Sequence, residues 1–331
     1  MADSVRAFVD GRVGRLVLNR PAALNALDQP MLRALTAALH IWQHMPEIHA
    51  VVIEGEGRAF CAGGDIRAVR DAATSGDAAT IEAFFGEEYA LNRLIAEYPK
   101  PYVALVDGIC MGGGIGVSVH GRYRVATEAA MFAMPETGIA LFPDVGASFF
   151  LPRLPGALGM FLGLTGTRLT GADAVHAGLA THFVPKSKLP ALSASLAAGG
   201  VASLAEFAEP LPPFTLANHL PAINRCFSAN SLAEILARLS QEGAWGEKTL
   251  ATLRAMSPSS LLWSFGIVHR GATRDLPACL AAELRLTRLV TRHPDFAEGV
   301  RAMIIDKDRA PKWTPAAIED VEISKIDAML N

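Results

Sequence analysis

The chain has 331 residues, 51% hydrophobic and 19% charged, with a net charge of −3. That composition is globular and excludes a disordered or fibrous chain, and the length admits one large domain with an appendage or two domains. The slightly acidic balance offers no electrostatic footprint for nucleic acid, and no apolar run approaches the roughly 20 residues of a membrane span, so neither is expected as a partner.

Four cysteines, Cys61, Cys110, Cys226 and Cys279, lie too far apart for a CxxC or zinc pattern and read as reduced thiols. No metal is expected. The N-terminus, Met1-Ala2-Asp3-Ser4-Val5, is acidic and shows neither a signal peptide nor a basic transit segment, which predicts a cytoplasmic protein.

In chain order, Arg6–Asp10 and Arg15–Asn19 read as a hairpin around Gly11 and Gly14. Asp28 is a plausible N-cap with Pro30 just inside, opening a helix whose stripe is Met31, Leu35, Leu39 and Trp42. Ala50–Ile53 is a buried-type strand, Asp71–Thr80 a polar surface excursion, and Ile81–Tyr98 a helix stopped by Pro99. Tyr102–Val106 is a further strand, followed by a glycine-rich turn and a helix through His120. Short strands are predicted at Arg124–Ala126, Met131–Ala133 and Thr181–Val184, with helices at Leu158–Leu164 and Ala172–Gly178. Strand pairs alternating with helices, roughly every 45–50 residues, indicate an α/β repeat. No GxGxxG follows the first strand, which excludes a doubly wound dinucleotide fold. Strand signals fade beyond Pro190, predicting residues 1–190 as an α/β catalytic core and 191–331 as a mostly helical C-terminal region.

Met111–Arg153 concentrates the chemistry. Gly112, Gly113 and Gly114 before a helix allow close backbone approach and expose N–H groups at a positive helix end, although a turn serving only packing reads the same locally. Gly63 and Gly64 repeat the arrangement after another apolar strand, and the conjunction favours a two-donor oxyanion hole. Glu136 and Asp144 are two acids eight residues apart in apolar company, where lost solvation raises a carboxyl pKa. Alone, Glu136 reads equally as an exposed strand-end acid, and Asp144 as an N-cap for the segment after Gly146. His120, on an apolar helix without a paired acid, reads as a core histidine, and Ser118 lacks a nucleophile elbow.

The segments Arg58-Ala59-Phe60-Cys61-Ala62-Gly63-Gly64-Asp65-Ile66, Pro101-Tyr102-Val103-Ala104 with Gly108, Met111-Gly112-Gly113-Gly114 and Pro135-Glu136 resemble the crotonase (enoyl-CoA hydratase/isomerase) superfamily. Within it the chain is most similar to the 3-hydroxyisobutyryl-CoA hydrolase subgroup, through Glu87-Glu88-Tyr89, Phe132-Ala133-Met134-Pro135-Glu136-Thr137, Leu141-Phe142-Pro143-Asp144-Val145-Gly146 and His293-Pro294-Asp295-Phe296-Ala297-Glu298-Gly299-Val300-Arg301. The resemblance implies a crotonase-like ββα spiral core with a helical C-terminal region. It implies an acyl-CoA thioester as small-molecule substrate, with coenzyme A part of the substrate and no separate cofactor. The backbone donors become Gly64 and Gly113, the catalytic acids Glu136 and Asp144, and Glu88 a contact to the substrate hydroxyl. Self-association into a homo-oligomer is a family habit that the long C-terminal part could replace.

Hydratases of the superfamily carry a second glutamate shortly after the glycine loop; here that position is Gly116, which disfavours two-acid hydration of a double bond. The expected reaction is hydrolysis of a short branched β-hydroxyacyl-CoA, as in valine breakdown. Glu136 attacks the carbonyl or activates water, and the sequence leaves both open. An isomerase using Glu136 alone, a silent CoA-binding scaffold and a helical partner-binding module are the alternatives. Arg58 and Arg67, flanking the first donor turn, are candidates for the coenzyme phosphates, ahead of Lys307, Arg309 and Lys312 in a tail expected to be solvated.

Overall fold

The computed structural model describes residues 3–330. The chain divides into two compact units, each built from separated segments.

The first unit comprises Met1–Asp65, Glu87–Ala133 and Arg168–Thr215. It holds the strands β1 (Val5–Asp10), β2 (Val13–Leu18), β3 (Ala50–Gly55), β4 (Ala59–Cys61), β5 (Tyr102–Val106), β6 (Ile109–Met111), β7 (Tyr123–Ala126), β8 (Met131–Ala133), β9 (Leu169–Thr170) and β10 (His182–Phe183). The predicted hairpin forms β1 and β2, paired from Val5↔Leu18 to Asp10↔Val13. Two sheets result, ordered β1-β2-β3-β5-β7-β10 and β4-β6-β8-β9. From β2 to β10 the larger sheet is parallel, as are the β4/β6 and β6/β8 pairs of the smaller one. Each chain repeat thus gives its first strand to one sheet and its second to the other: β3 then β4, β5 then β6, β7 then β8. That alternation is the ββα spiral.

Burial on both faces explains the continuous apolar strands, for β2 and β5 are buried at every position. Arg15 is the buried exception, and it is neutralised by Asp10 at 2.8 Å and Glu54 at 3.4 Å. One core layer packs Val13, Val52, Val103 and Val125 against Leu192, Leu196 and Leu204. These leucines belong to the helices Leu189–Gly199 and Leu204–Phe207. The helix Gln29–Trp42 begins as its sequence demands, with Asp28 accepting from the Met31 amide at 2.9 Å.

The second unit comprises Ile66–Gly86, Met134–Thr167 and Leu216–Asn331. Its centre is the helix Pro258–Gly271, with Leu261, Trp263, Ile267 and Val268 buried. The helices Leu158–Thr165, Ala147–Phe150 and Ile323–Leu330 pack against it.

Three expectations are refined. A single boundary at 190 does not match the compact units: the helices after Pro190 complete the first unit's core, while 66–86 and 134–167 belong with the C-terminal helices. The surface excursion at 71–80 is largely helical, split between Ile66–Ser75 and the start of Ala78–Ala96, and Ile66–Ser75 packs against the helix Pro294–Val300. Residues 301–312 are largely exposed, as expected, but held in a fixed conformation by ion pairs. Arg301 gathers Glu298, Asp306 and Asp308 at 2.6–2.8 Å, and the Lys312 amide donates to Glu298. The four cysteines are buried thiols. Among the described residues, no helix is long and apolar enough to cross a membrane.

Candidate active site

In the first unit, two turns at the ends of neighbouring parallel strands carry the glycine amides. β4 ends at Cys61 and β6 at Met111, and the two strands are paired. Each donor amide follows a glycine in the left-handed region: Gly63 has φ 118° before Gly64, and Gly112 has φ 48° before Gly113. Only glycine adopts these conformations cheaply.

Gly64 forms an isolated parallel bridge with Leu27. Leu27 bonds the carbonyl of Gly63 and the amide of Asp65, both at 2.8 Å. By parallel-ladder geometry the N–H of Gly64 itself therefore faces away from Leu27. Gly113 is the first residue of the helix Gly113–Val119, so its amide has no acceptor within the helix. A Cβ placed on Gly113 would stand 3.2 Å from the Gly64 nitrogen, and one on Gly63 would stand 3.9 Å from the Gly113 nitrogen. The two amides share one small space.

Glu88 reaches the same space, because that Cβ on Gly113 would also collide with its Oε1. Glu88 is 2% exposed. Burial, with the charge of Glu88 adding to it, pushes the neighbouring Cys61 thiol up to about 12, which removes it as a nucleophile. Gly116 is buried within the helix and supplies no acid. His120 caps that helix, half-buried.

In the second unit, Glu136 is 5% and Asp144 4% exposed, so Glu136 is not the exposed strand-end acid that its position alone also allowed. Glu136 opens the 3-10 turn Glu136–Ile139. This turn is held from several sides. The Ser257 amide donates to the Thr137 carbonyl, Trp263 Nε1 to the Leu141 carbonyl at 3.2 Å, and Ser260 Oγ to the same carbonyl. Ser257 Oγ in turn donates to the buried Asp295 at 2.8 Å. Gly299 lies against the Ile139 backbone so closely that a Cβ there would come within 2.6–2.8 Å.

Asp144 precedes Val145 at φ 52° and Gly146 at φ 85°. A β-branched residue in the left-handed region is strained by about 1–3 kcal/mol. Gly146, not Asp144, is the N-cap of Ala147–Phe150.

Glu283 was not found by reading the sequence. It accepts from the Gly146 amide at 2.7 Å and from the Ser148 amide and hydroxyl at 2.9 and 2.5 Å. Burial pushes its carboxyl up to about 8; the bonds from Ser148 and Gly146 oppose that rise and the charge of Asp144 adds to it. A signal existed: Cys279, Glu283, Leu286 and Val290 share one buried helical stripe.

Arg58 and Arg67 are exposed. Arg58 belongs to the first unit, and its carbonyl lies against Gly108. Arg67 belongs to the second, donating to the Ile304 carbonyl at 2.9 Å.

Paired parallel strands ending in two convergent glycine amides define a crotonase-type fold. The solved structures agree. A carnitinyl-CoA dehydratase from Mycobacterium thermoresistibile superposes with TM-score 0.95 at 37% identity, covering 99% of this chain and 96% of its own. An enoyl-CoA hydratase from Rhodobacter sphaeroides 2.4.1 gives 0.93 at 41%, covering 99% and 97%.

The chain belongs to the enoyl-CoA hydratase/isomerase family, whose model matches residues 13–330. Curated relatives include the mitochondrial 3-hydroxyisobutyryl-CoA hydrolase of Xenopus tropicalis, 48% identical over 332 residues, spanning 96% of this chain and 86% of the relative. The human protein of the same description is 45% identical over 334 residues, spanning 97% and 86%. These relatives are described as mitochondrial, which overturns the cytoplasmic expectation drawn from the N-terminal residues.

Proposed function

We propose that this enzyme hydrolyses the thioester of 3-hydroxyisobutyryl-CoA, giving 3-hydroxyisobutyrate and coenzyme A, a step of valine breakdown. The observation that carries the reading is the convergence of the Gly64 and Gly113 amides, combined with Gly116 where a hydratase would hold its second glutamate. The curated hydrolase relatives support the same assignment. The two solved structures are described as a dehydratase and a hydratase, chemistry that in this family needs the missing acid.

In the proposed mechanism the thioester oxygen rests against the N–H groups of Gly64 and Gly113. Negative charge develops on that oxygen as the carbonyl becomes tetrahedral, so fixed dipoles stabilise the transition state more than the ground state. Glu136 either attacks the carbonyl carbon to form a mixed anhydride or takes a proton from the attacking water. Asp144 serves the second proton transfer or orients the water and the departing thiol. Glu88 accepts a bond from the substrate hydroxyl, and the coenzyme phosphates are met by Arg58 and Arg67. We also propose self-association as the family habit suggests.

The reading is tested by mixing the protein with 3-hydroxyisobutyryl-CoA and following free thiol beside enoyl absorbance. Stoichiometric thiol release supports it; conjugated enoyl-CoA without thiol overturns it. A single turnover in oxygen-18 water then separates the two roles of Glu136. Label recovered in its carboxylate indicates an anhydride opened at the Glu136 carbon, whereas label in the product alone fits the general base or an anhydride opened at the acyl carbon.

A further inference from the structure

We propose that Glu283, on the helix Leu276–Val290, is a positioning residue that sets the Asp144 carboxylate by gripping the backbone of the strained turn behind it. The inference rests on the hydrolase reading for the role of Asp144, and on the structure alone for the grip.

Nothing in the local sequence of the turn favours its shape at Val145, where φ is 52°. A β-branched residue reverts to an ordinary conformation unless its surroundings hold it. The holding groups come from a distant helix. Glu283 takes the amide of Gly146 on one carboxylate oxygen and both donors of Ser148 on the other. It thereby fixes two backbone positions immediately after the strained residue.

A second helix closes the opposite side. Gly271, at the end of Pro258–Gly271, meets the Ser148 carbonyl so closely that any Cβ there would clash. Arg153, just beyond, binds the carbonyls of Phe149, Gly271 and Arg274. The turn is thus bounded by the buried Glu283, the exposed Arg153 and a close backbone contact rather than by apolar packing alone.

A carboxyl group buried beside a second acid is a costly way to fasten a loop. Glu283 is fully buried, and Asp144 lies within electrostatic reach of it. Glutamine would fill the same volume without charge. It would also present an amide N–H₂ to one of the donors, so it cannot accept from both sides. Only a carboxylate offers acceptors to Gly146 and Ser148 together. The chemistry of the three donors therefore requires an acid at 283, whatever its cost beside Asp144.

The test compares wild type with Glu283→Gln and, as a milder change, Ser148→Ala, which removes one of the three bonds. Two readouts are taken on the full chain: amide hydrogen exchange at Gly146 and Ser148, and kcat and KM for thiol release from 3-hydroxyisobutyryl-CoA. Glu283→Gln is expected to accelerate exchange at both amides and to lower kcat about tenfold or more with KM within about threefold, as for a group acting only through transition-state geometry. Ser148→Ala should fall between the two. Adding Val145→Gly to Glu283→Gln should restore part of the lost kcat by removing the strain, which recovery of global stability alone would not do. Unchanged exchange at Gly146 and Ser148, or kcat within about twofold of wild type, overturns the proposal. Should wild type release no thiol, the hydrolase reading fails, and the exchange data still decide the grip.

Discussion

Buried carboxylates at Glu88, Glu136, Asp144 and Glu283 are costly unless each has a task, and the tasks differ. Glu88 shares its space with the two glycine amides, so its influence belongs to the acyl group. Glu88→Ala is expected to erase most of the preference for 3-hydroxyisobutyryl-CoA over isobutyryl-CoA, about tenfold or more in kcat/KM, because a site built to bond a hydroxyl penalises its absence. Competition between the two thioesters measures this, and an unchanged ratio removes Glu88 from that role. Glu283 has a pH signature. An acid with a higher pKa folded than unfolded keeps its proton longer in the folded chain, so it favours folding at low pH and opposes it as pH rises. Its window runs from the ordinary 4.5 to about 8. Wild type should lose stability from this group between about pH 5 and about pH 8, and Glu283→Gln should lack that component. Denaturant melts at the two pH values measure the difference; equal pH slopes contradict it. The paired glycines and the acids Glu136 and Asp144 were legible in the sequence because each sits in a short motif with its own turn chemistry. Glu283 was not, since its partners Gly146 and Ser148 lie more than a hundred residues away, and only its place on a buried stripe hinted at it.

Among the elements, the 3-10 turn Glu136–Ile139 shows how packing substitutes for propensity. Its Thr137 carbonyl is taken by Ser257, the Leu141 carbonyl just beyond it by Ser260 and Trp263, and its backbone is pressed by Gly299. Glycine at 299 is required by close approach, since a methyl would meet the Ile139 backbone at 2.6–2.8 Å. Gly299→Ala is expected to cost about 1–3 kcal/mol and to reduce thiol release by shifting the turn that bears Glu136. Thermal melting with an activity assay checks both, and a variant indistinguishable from wild type removes this packing from the account. The motif holding Gly299 was visible as a family marker, yet a backbone-to-backbone contact leaves no trace in local sequence. Strands and helices with strong periodicity or caps, such as β5 and the Asp28-capped helix, were read correctly. The alanine-rich stretch at 71–80 lies on the surface as expected, with Ala72 its one buried residue, and its helical backbone is what the polar composition conceals.

For the whole molecule, the alternation of strands between two sheets follows from the repeat of strand pairs and helices in the chain. The grouping of segments into units does not, because it depends on which distant pieces pack together. Residues 66–86 and 134–167 join the C-terminal helices although nothing in their composition marks them. The reaction rests on the glycine amides, and Gly113→Ala probes them directly. The change suits the backbone, since Gly113 begins an ordinary helix, yet its methyl would occupy the space beside the Gly64 nitrogen and push Glu88 Oε1 aside, so Glu88→Ala is the control that separates the two effects. Thiol release from 3-hydroxyisobutyryl-CoA by Gly113→Ala, with coenzyme A binding measured in parallel, should fall by about 10²–10³ in kcat while coenzyme A is still bound. Turnover at the wild-type rate would contradict the account at its centre.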